Sequence, residues 1–210
     1  MRNTLKGTST YISGKDHCGI DHKPGIITTT PTITESGLPT VEGEPAKEIN
    51  SDKNLNLAEM MKSLKGAADY SYDYNTNRTL TGLNWGAPTT HGSTEPLTYE
   101  GDLNIVYFNM GGDKTLKLAG GTKGAGILLV DGNLELSGGF TWYGEIIVTG
   151  SFNFSGGGEK NVTGGILAGE SATVNTDVGG NVGILYCSDA VGKLRKGIPP
   201  YKITLWREVY

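Results

Sequence analysis

The sequence is poor in charge, in cysteine and in long apolar runs. Charged residues make up 19% of 210 positions and the net charge is −4. So balanced a chain gives no electrostatic reason to bind nucleic acid or an anionic membrane surface. No run approaches the roughly 20 apolar residues that a membrane-spanning helix needs, so no membrane contact is expected of this segment itself. Hydrophobic residues are also few, at 36%, and Gly, Ser, Thr and Asn fill the gap. That balance suits a β-rich surface protein better than a helical enzyme. The opening Met1-Arg2-Asn3-Thr4-Leu5-Lys6-Gly7 has the pattern neither of a signal peptide nor of a membrane anchor. It reads as the middle of a repeat, and the natural chain is expected to continue upstream. Cysteine is limited to Cys18 and Cys187. Two cysteines allow one pairing, and a disulfide and two unrelated thiols both remain open. Repeat arrays hold sequence-distant repeats apart, which argues against a bond unless residues 14–25 fold back along the outside. Bridging needs Cα atoms within about 7 Å.

What the chain has is glycine, 33 residues of it, and a recurring apolar run. Ile127-Leu128-Leu129-Val130 returns as Ile146-Ile147-Val148, Ile166-Leu167-Ala168 and Ile184-Leu185-Tyr186. Val130 to Val148 is 18 residues, Ile147 to Ile166 is 19, and Ile166 to Ile184 is 18. Ile105-Val106-Tyr107-Phe108 precedes Ile127 by 22. A fixed period of this size signals a repeat architecture. Each period also holds a second strand-like piece, such as Asn133-Leu134-Glu135-Leu136-Ser137, with polar and apolar residues alternating. Gly138-Gly139 and Gly156-Gly157-Gly158 mark corners, where tight bends need glycine. A helical crossover has no room, because a βαβ unit takes about 30 residues or more. The reading is all-β: a right-handed parallel β-solenoid with a helix-containing excursion, the hand following from the rule for parallel crossovers. Ile127, Leu129, Ile147, Ile166 and Ile184 are expected to point inward in stacked rows.

In chain order, residues 1–43 read as opening coils, with a Thr- and Pro-rich linker as the rival. Residues 44–100 break the period and read as the excursion. Within it, Leu57, Met60, Met61 and Leu64 have helical spacing, Ser51 and Asp52 offer caps, and Gly66 offers an end. The helix, about 56–65, is expected to dock its apolar stripe on a solenoid flank. Tyr70, Tyr72, Tyr74 and Trp85 then form a candidate partner surface, since long loops carry function. Residues 101–192 are the regular coils. Residues 193–210 form a C-terminal cap, with a basic stretch at Lys193 to Lys196 and a last strand at Tyr201 to Trp206. The whole reads as one domain.

Catalytic and metal chemistry are weakly signalled. His17, Cys18 and His22, with Asp16 and Asp21, are ligand types, but their spacing matches no known zinc site. No metal or cofactor is expected. The acidic residues of the coils do not recur at one coil position, and Asp131 aligns with Thr149. No enzyme is therefore expected; Asp131-Gly132-Asn133 reads as a corner rather than a calcium turn. Phe140 with Trp142, and Phe152 with Phe154, each share a face, for core stacking or for an outward binding set. Asn77 and Asn161 match the short glycosylation pattern.

Several stretches carry a resemblance. They are GILLVDGNLELSG, Trp142 to Gly150, Gly156-Gly157-Gly158 with TGGILAG after it, ILYCSDAV at 184–191, and ITLWRE near the end. ISGKDHCGIDHKPGI lies near the start. Together these are similar to the C-terminal part of bacterial type IV pilus-assembly PilX-like proteins, which are minor pilin-like components. The likeness covers most of residues 8–43 and 101–210. It implies a non-enzymatic extracytoplasmic module acting in pilus assembly or surface attachment. Its partners would be pilus or secretion-system subunits and surface glycans. It would sit at the cell surface, or at the periplasmic face of the inner membrane before assembly, through an upstream anchor. A bactofilin-like self-assembling scaffold is the alternative, and a carbohydrate-active β-helix enzyme the third.

Overall fold

The computed structural model describes residues 2–30, 32–50, 55–154, 156–169 and 175–197. The strands are β1 (Arg2–Lys6), β2 (Thr10–Ser13), β3 (Ile26–Thr28), β4 (Ile33–Ser36), β5 (Thr40–Glu42), β6 (Lys47–Ile49), β7 (Tyr70–Asp73), β8 (Arg78–Thr81) and β9 (Asn84–Trp85). They continue as β10 (Asn104–Asn109), β11 (Thr115–Ala119), β12 (Lys123–Asp131), β13 (Asn133–Leu136), β14 (Thr141–Val148), β15 (Phe152–Phe154), β16 (Lys160–Ala168), β17 (Asn175–Gly179) and β18 (Val182–Leu185). Helices α1 (Leu57–Lys65) and α2 (Ser188–Gly197) complete the described elements.

The chain is mostly β and its sheets are long and parallel. One sheet has seven strands in the order β4-β1-β17-β15-β13-β11-β8. The other has nine, running β5-β2-β18-β16-β14-β12-β10-β7 with β9 beside β12, and β3 pairs with β6 apart. From β10 to β18 successive strands alternate between the two sheets. Val130 stands beside Val148, but Ile146, not Ile147, stands beside Ile166, and Val162 beside Ile184. One shared core joins the sheets: Val106, Phe108, Leu128, Val130, Ile146 and Val148 meet Leu116, Leu118, Leu134, Leu136, Phe152 and Phe154. Both aromatic pairs are interior, Phe140 and Trp142 stacked with ring centroids 6.2 Å apart.

The expected inward row is corrected in part. Ile166 and Ile184 pack against the shared core, but Ile127, Leu129 and Ile147 lie on the other face of their sheet, under α1. Strand β12 is buried from Gly124 through Val130. A strand covered on both faces loses its alternation, so the apolar run does not say which side is in.

Glycine is required inside the strands as well as at corners. Gly126, Gly144 and Gly164 stand side by side with φ of 122°, 124° and 140°. A Cβ on Gly144 would lie 2.1 Å from the carbonyl oxygen of Gly126. This row takes a backbone conformation closed to other residues.

Helix α1 docks where its stripe predicts. Leu57 and Met61 are buried against Ile105, Tyr107, Ile127, Leu129 and Ile147, with Met60 and Leu64 packed beside them. Each buried side chain contributes about 1.5–3 kcal/mol before entropy. Asn56 caps the helix, its side chain accepting from the Glu59 N–H at 2.9 Å. Ser51 and Asp52 lie outside the described residues.

Three boundaries move. β7, β8 and β9, inside the expected excursion, pair with β10, β11 and β12 and so belong to the sheets. α2 begins at Ser188, where regular coils were expected to run to 192, because Ser188 and Asp189 suit a helix start. The strand expected at Tyr201 to Trp206 lies outside the described residues. The largest change concerns residues 1–43. They do not open the stack beside β10. β1 lies on β17 and β2 on β18, so the start of the chain follows its last strand in space.

Candidate functional site

That inversion creates a junction. β1 pairs with β17 from Arg2↔Asn175 to Lys6↔Gly179, and β2 with β18 from Thr10↔Val182 to Ser13↔Leu185. Leu5 and Ile12 enter the same core as Val178 and Val182. Past β2 and β18 both backbones leave the sheet at one corner. There the Tyr186 N–H donates to the Ser13 carbonyl at 2.8 Å, and the His17 N–H to the Tyr186 carbonyl at 3.1 Å. Cys18 and Cys187 are bonded, with Cα atoms 5.1 Å apart. The two cysteines meet despite a separation of 169 residues because the intervening chain leaves the corner and returns to it.

Asp16 is the polar centre of this corner. One carboxylate oxygen accepts from the backbone N–H of Cys18 and of Ser188, at 3.1 and 3.0 Å. The other accepts from the Asp21 N–H at 3.0 Å. Burial alone would raise its pKa, but the Ser188 hydroxyl and these N–H groups outweigh it and hold the carboxyl at about 2. Asp16 thus supplies a negative charge at the start of α2 from a distant part of the chain. Gly19 allows the approach: a Cβ there would sit 2.7 Å from Asp16 Oδ2. Tyr186 is pushed up to about 12 by burial and by nearby Asp21. The His17 ring is shifted down by burial, against the pull of Glu42 and Asp16, and packs edge-on to Tyr11. Lys193 on α2 hydrogen-bonds Glu100 at 3.0 Å and Asp189 at 3.1 Å, tying the helix to the loop before β10.

The other sequence candidates sit elsewhere. His22 turns toward Asp16, its Nδ1 accepting from the Asp16 N–H at 3.0 Å. Trp85 is buried, and Tyr72 stacks on Phe108 at 4.6 Å while its hydroxyl accepts from the Trp85 indole. Tyr74 packs against the same core, so of the four proposed surface residues only Tyr70 is exposed, at 43%. Tyr72 stands beside Phe108, whose side chain lies in the shared core, and so closes the end of that core. Asn161 is buried, and its amide donates to the carbonyls of Gly92 and Glu95. Asp131 accepts from the Thr149 hydroxyl.

Two arrangements were not read from the sequence. Glu135, Asn153 and Asp177 do share one row across the seven-stranded sheet, which corrects the reading that acids never recur. Glu135 pairs with Lys117, and Asp177 lies 3.9 Å from Lys6, so each carboxylate faces an ammonium. Lys160 is fully buried and caps a glycine corner, donating to the carbonyls of Gly156 at 2.7 Å and Gly158 at 3.0 Å. The pairing of Asp16 with Ser188 was also missed. The signal was their place two residues before one cysteine and one after the other, readable once the bond is assumed. No protein-family model, no curated protein and no solved structure matches the chain.

Proposed function

We propose that the chain is a non-enzymatic structural module that works outside the cytoplasm, in a pilus-type surface assembly or in attachment. The two facing sheets are the broad sides of a right-handed parallel β-solenoid, with α1 and α2 packed on one side. The observation that carries the reading is the Cys18–Cys187 bond. Disulfides persist in oxidising compartments and are rare in the cytosol. The pairing of Glu135 with Lys117 and of Asp177 near Lys6 favours a structural over a hydrolytic face. Fractionation of producing cells, with labelling by a membrane-impermeant reagent, tests the location. Recovery of a reduced protein in the cytosol would overturn it. Loss of surface filaments or of attachment on deletion of the gene, restored by the wild-type chain, tests the role. A self-assembling scaffold is the second reading, favoured by β7 and β8, which end their sheets. Filaments growing with concentration in the purified protein would select it. Cleavage of a polysaccharide, lost in Glu135→Gln, would select the enzyme instead.

A further inference from the structure

We infer that the Cys18–Cys187 bond is a thiol-exchange site of fixed direction, at which a small thiol such as glutathione joins Cys18 and Cys187 is the group that leaves. The two halves of the cystine stand in opposite surroundings. Cys18 is exposed, and so are Gly19 and Ile20 after it, Ile20 at 93%. Cys187 is fully buried in a cluster with Leu97, Ala125, Tyr143 and Ala190. Exchange begins when a thiolate attacks one sulfur of a disulfide, and access decides which sulfur that is. The attacking thiolate must approach in line with the bond it breaks. Attack on Cys18 comes from the solvent side of the corner. Attack on Cys187 would have to pass through the cluster that encloses it.

The leaving sulfur is provided for. The Ala190 N–H donates to the Cys187 sulfur at 3.4 Å. Ala190 lies in the first turn of α2, where unpaired N–H groups favour negative charge and a cysteine sheds its proton more readily. Two carboxylates act against this, Asp16 on the Ser188 N–H and Asp189 in the same turn, and Lys193 offsets the second at 3.1 Å. The step balances without an outside oxidant. The thiolate forms a bond to the Cys18 sulfur, the Cys18–Cys187 bond breaks, and its electron pair leaves on Cys187. The attacking sulfur is oxidised and Cys187 is reduced. The corner keeps its shape through the step. The β1–β17 and β2–β18 pairing and the Asp16 hydrogen bonds to the Cys18 and Ser188 N–H groups involve neither sulfur. Cys187 therefore stays beside Cys18, and its return attack expels the small thiol again. The exchange depends on the corner alone and stands apart from the location and role proposed above.

The test uses the full chain in native buffer with dithiothreitol, which supplies both electrons. One of its thiolates attacks Cys18, and the other then closes the reagent's own ring and frees Cys18 as a thiolate. Excess N-ethylmaleimide added at intervals marks each thiol within reach, and peptide mapping places the marks. The bond should be lost at the same rate without urea and in urea below the unfolding transition. Cys18 should be marked in the native protein and Cys187 only after denaturation. Loss of the bond only where the circular dichroism is also lost, or marking of Cys187 as fast as Cys18, would overturn the inference. A second arm treats two single variants with oxidised glutathione. Cys187→Ser should take up glutathione at Cys18 in native buffer, releasing one reduced glutathione for each bond formed. Cys18→Ser should stay unmodified until it is denatured. Equal uptake by the two variants overturns the inference, and if either variant does not fold the wild-type arm decides.

Discussion

Single side chains decide whether the corners of this fold hold. Asp16 binds its proton more weakly when folded, at about 2, than an unfolded aspartate at about 3.9. Its contribution is therefore complete above about pH 4 and fades as pH falls toward 2. Asp16→Asn should lose about 1.5–3 kcal/mol at neutral pH, the usual worth of hydrogen bonds to a charge. It should also flatten the acid limb of stability between those pH values, as read by urea unfolding at each pH. Lys160 behaves in the opposite sense. Burial lowers its pKa, so the unfolded chain binds more protons between the folded value and 10.5, and stability rises with pH through that window. Lys160→Met leaves the Gly156 and Gly158 carbonyls without their donor and should cost about 1–3 kcal/mol. The gap to wild type should widen as pH rises toward 10.5. A gap that stays level would mean that the ammonium is not desolvated. Neither residue stands out in the sequence. Lysine is almost never fully buried, and Asp16 becomes a cap only when Ser188 arrives from far along the chain.

At the scale of strands and helices, glycine and apolar stripes divide the work. Gly144 and Gly157 look alike in sequence, yet they should respond differently to alanine. Gly144 has φ 124° and its Cβ would meet the Gly126 carbonyl oxygen at 2.1 Å, so Gly144→Ala should cost at least about 3 kcal/mol. Nothing lies within 4 Å of a Cβ at Gly157, and Gly157→Ala should change stability by no more than about 0.5 kcal/mol. Equal effects in thermal melts would place both glycines at corners and remove the strand-interior row. Helix α1 makes a separate test. Met61→Ala should lose about 2–5 kcal/mol by emptying a buried position, while the β-sheet circular dichroism of the folded protein stays unchanged. The helix was legible because Leu57, Met60, Met61 and Leu64 repeat with its pitch. The inward set was not, because Ile127, Leu128, Leu129 and Val130 are apolar on both sides.

For the molecule as a whole, the cystine is the long-range constraint. It closes a separation of 169 residues, and replacing both cysteines by serine should lower stability by about 2–5 kcal/mol. Hydrogen exchange should then quicken first in residues 2–14 and 182–187, with β12 and β14 still protected. Uniform loss of protection would mean that the junction and the central strands open as one unit. The sequence by itself determined the class of structure: period-2 strands, glycine corners and repeats too short for a crossover helix leave parallel β-stacking as the outcome. It also determined one docked helix, since an apolar stripe must be covered. Only the tertiary structure decided that β1 and β2 follow β17 and β18, that Cys18 therefore meets Cys187, and that Tyr72 and Trp85 turn inward. The physical reason is that strand formation is set by neighbours along the chain. Which edge a strand joins is set by hydrogen bonds and packing between segments that the sequence places far apart, and every bare parallel edge offers the same backbone groups.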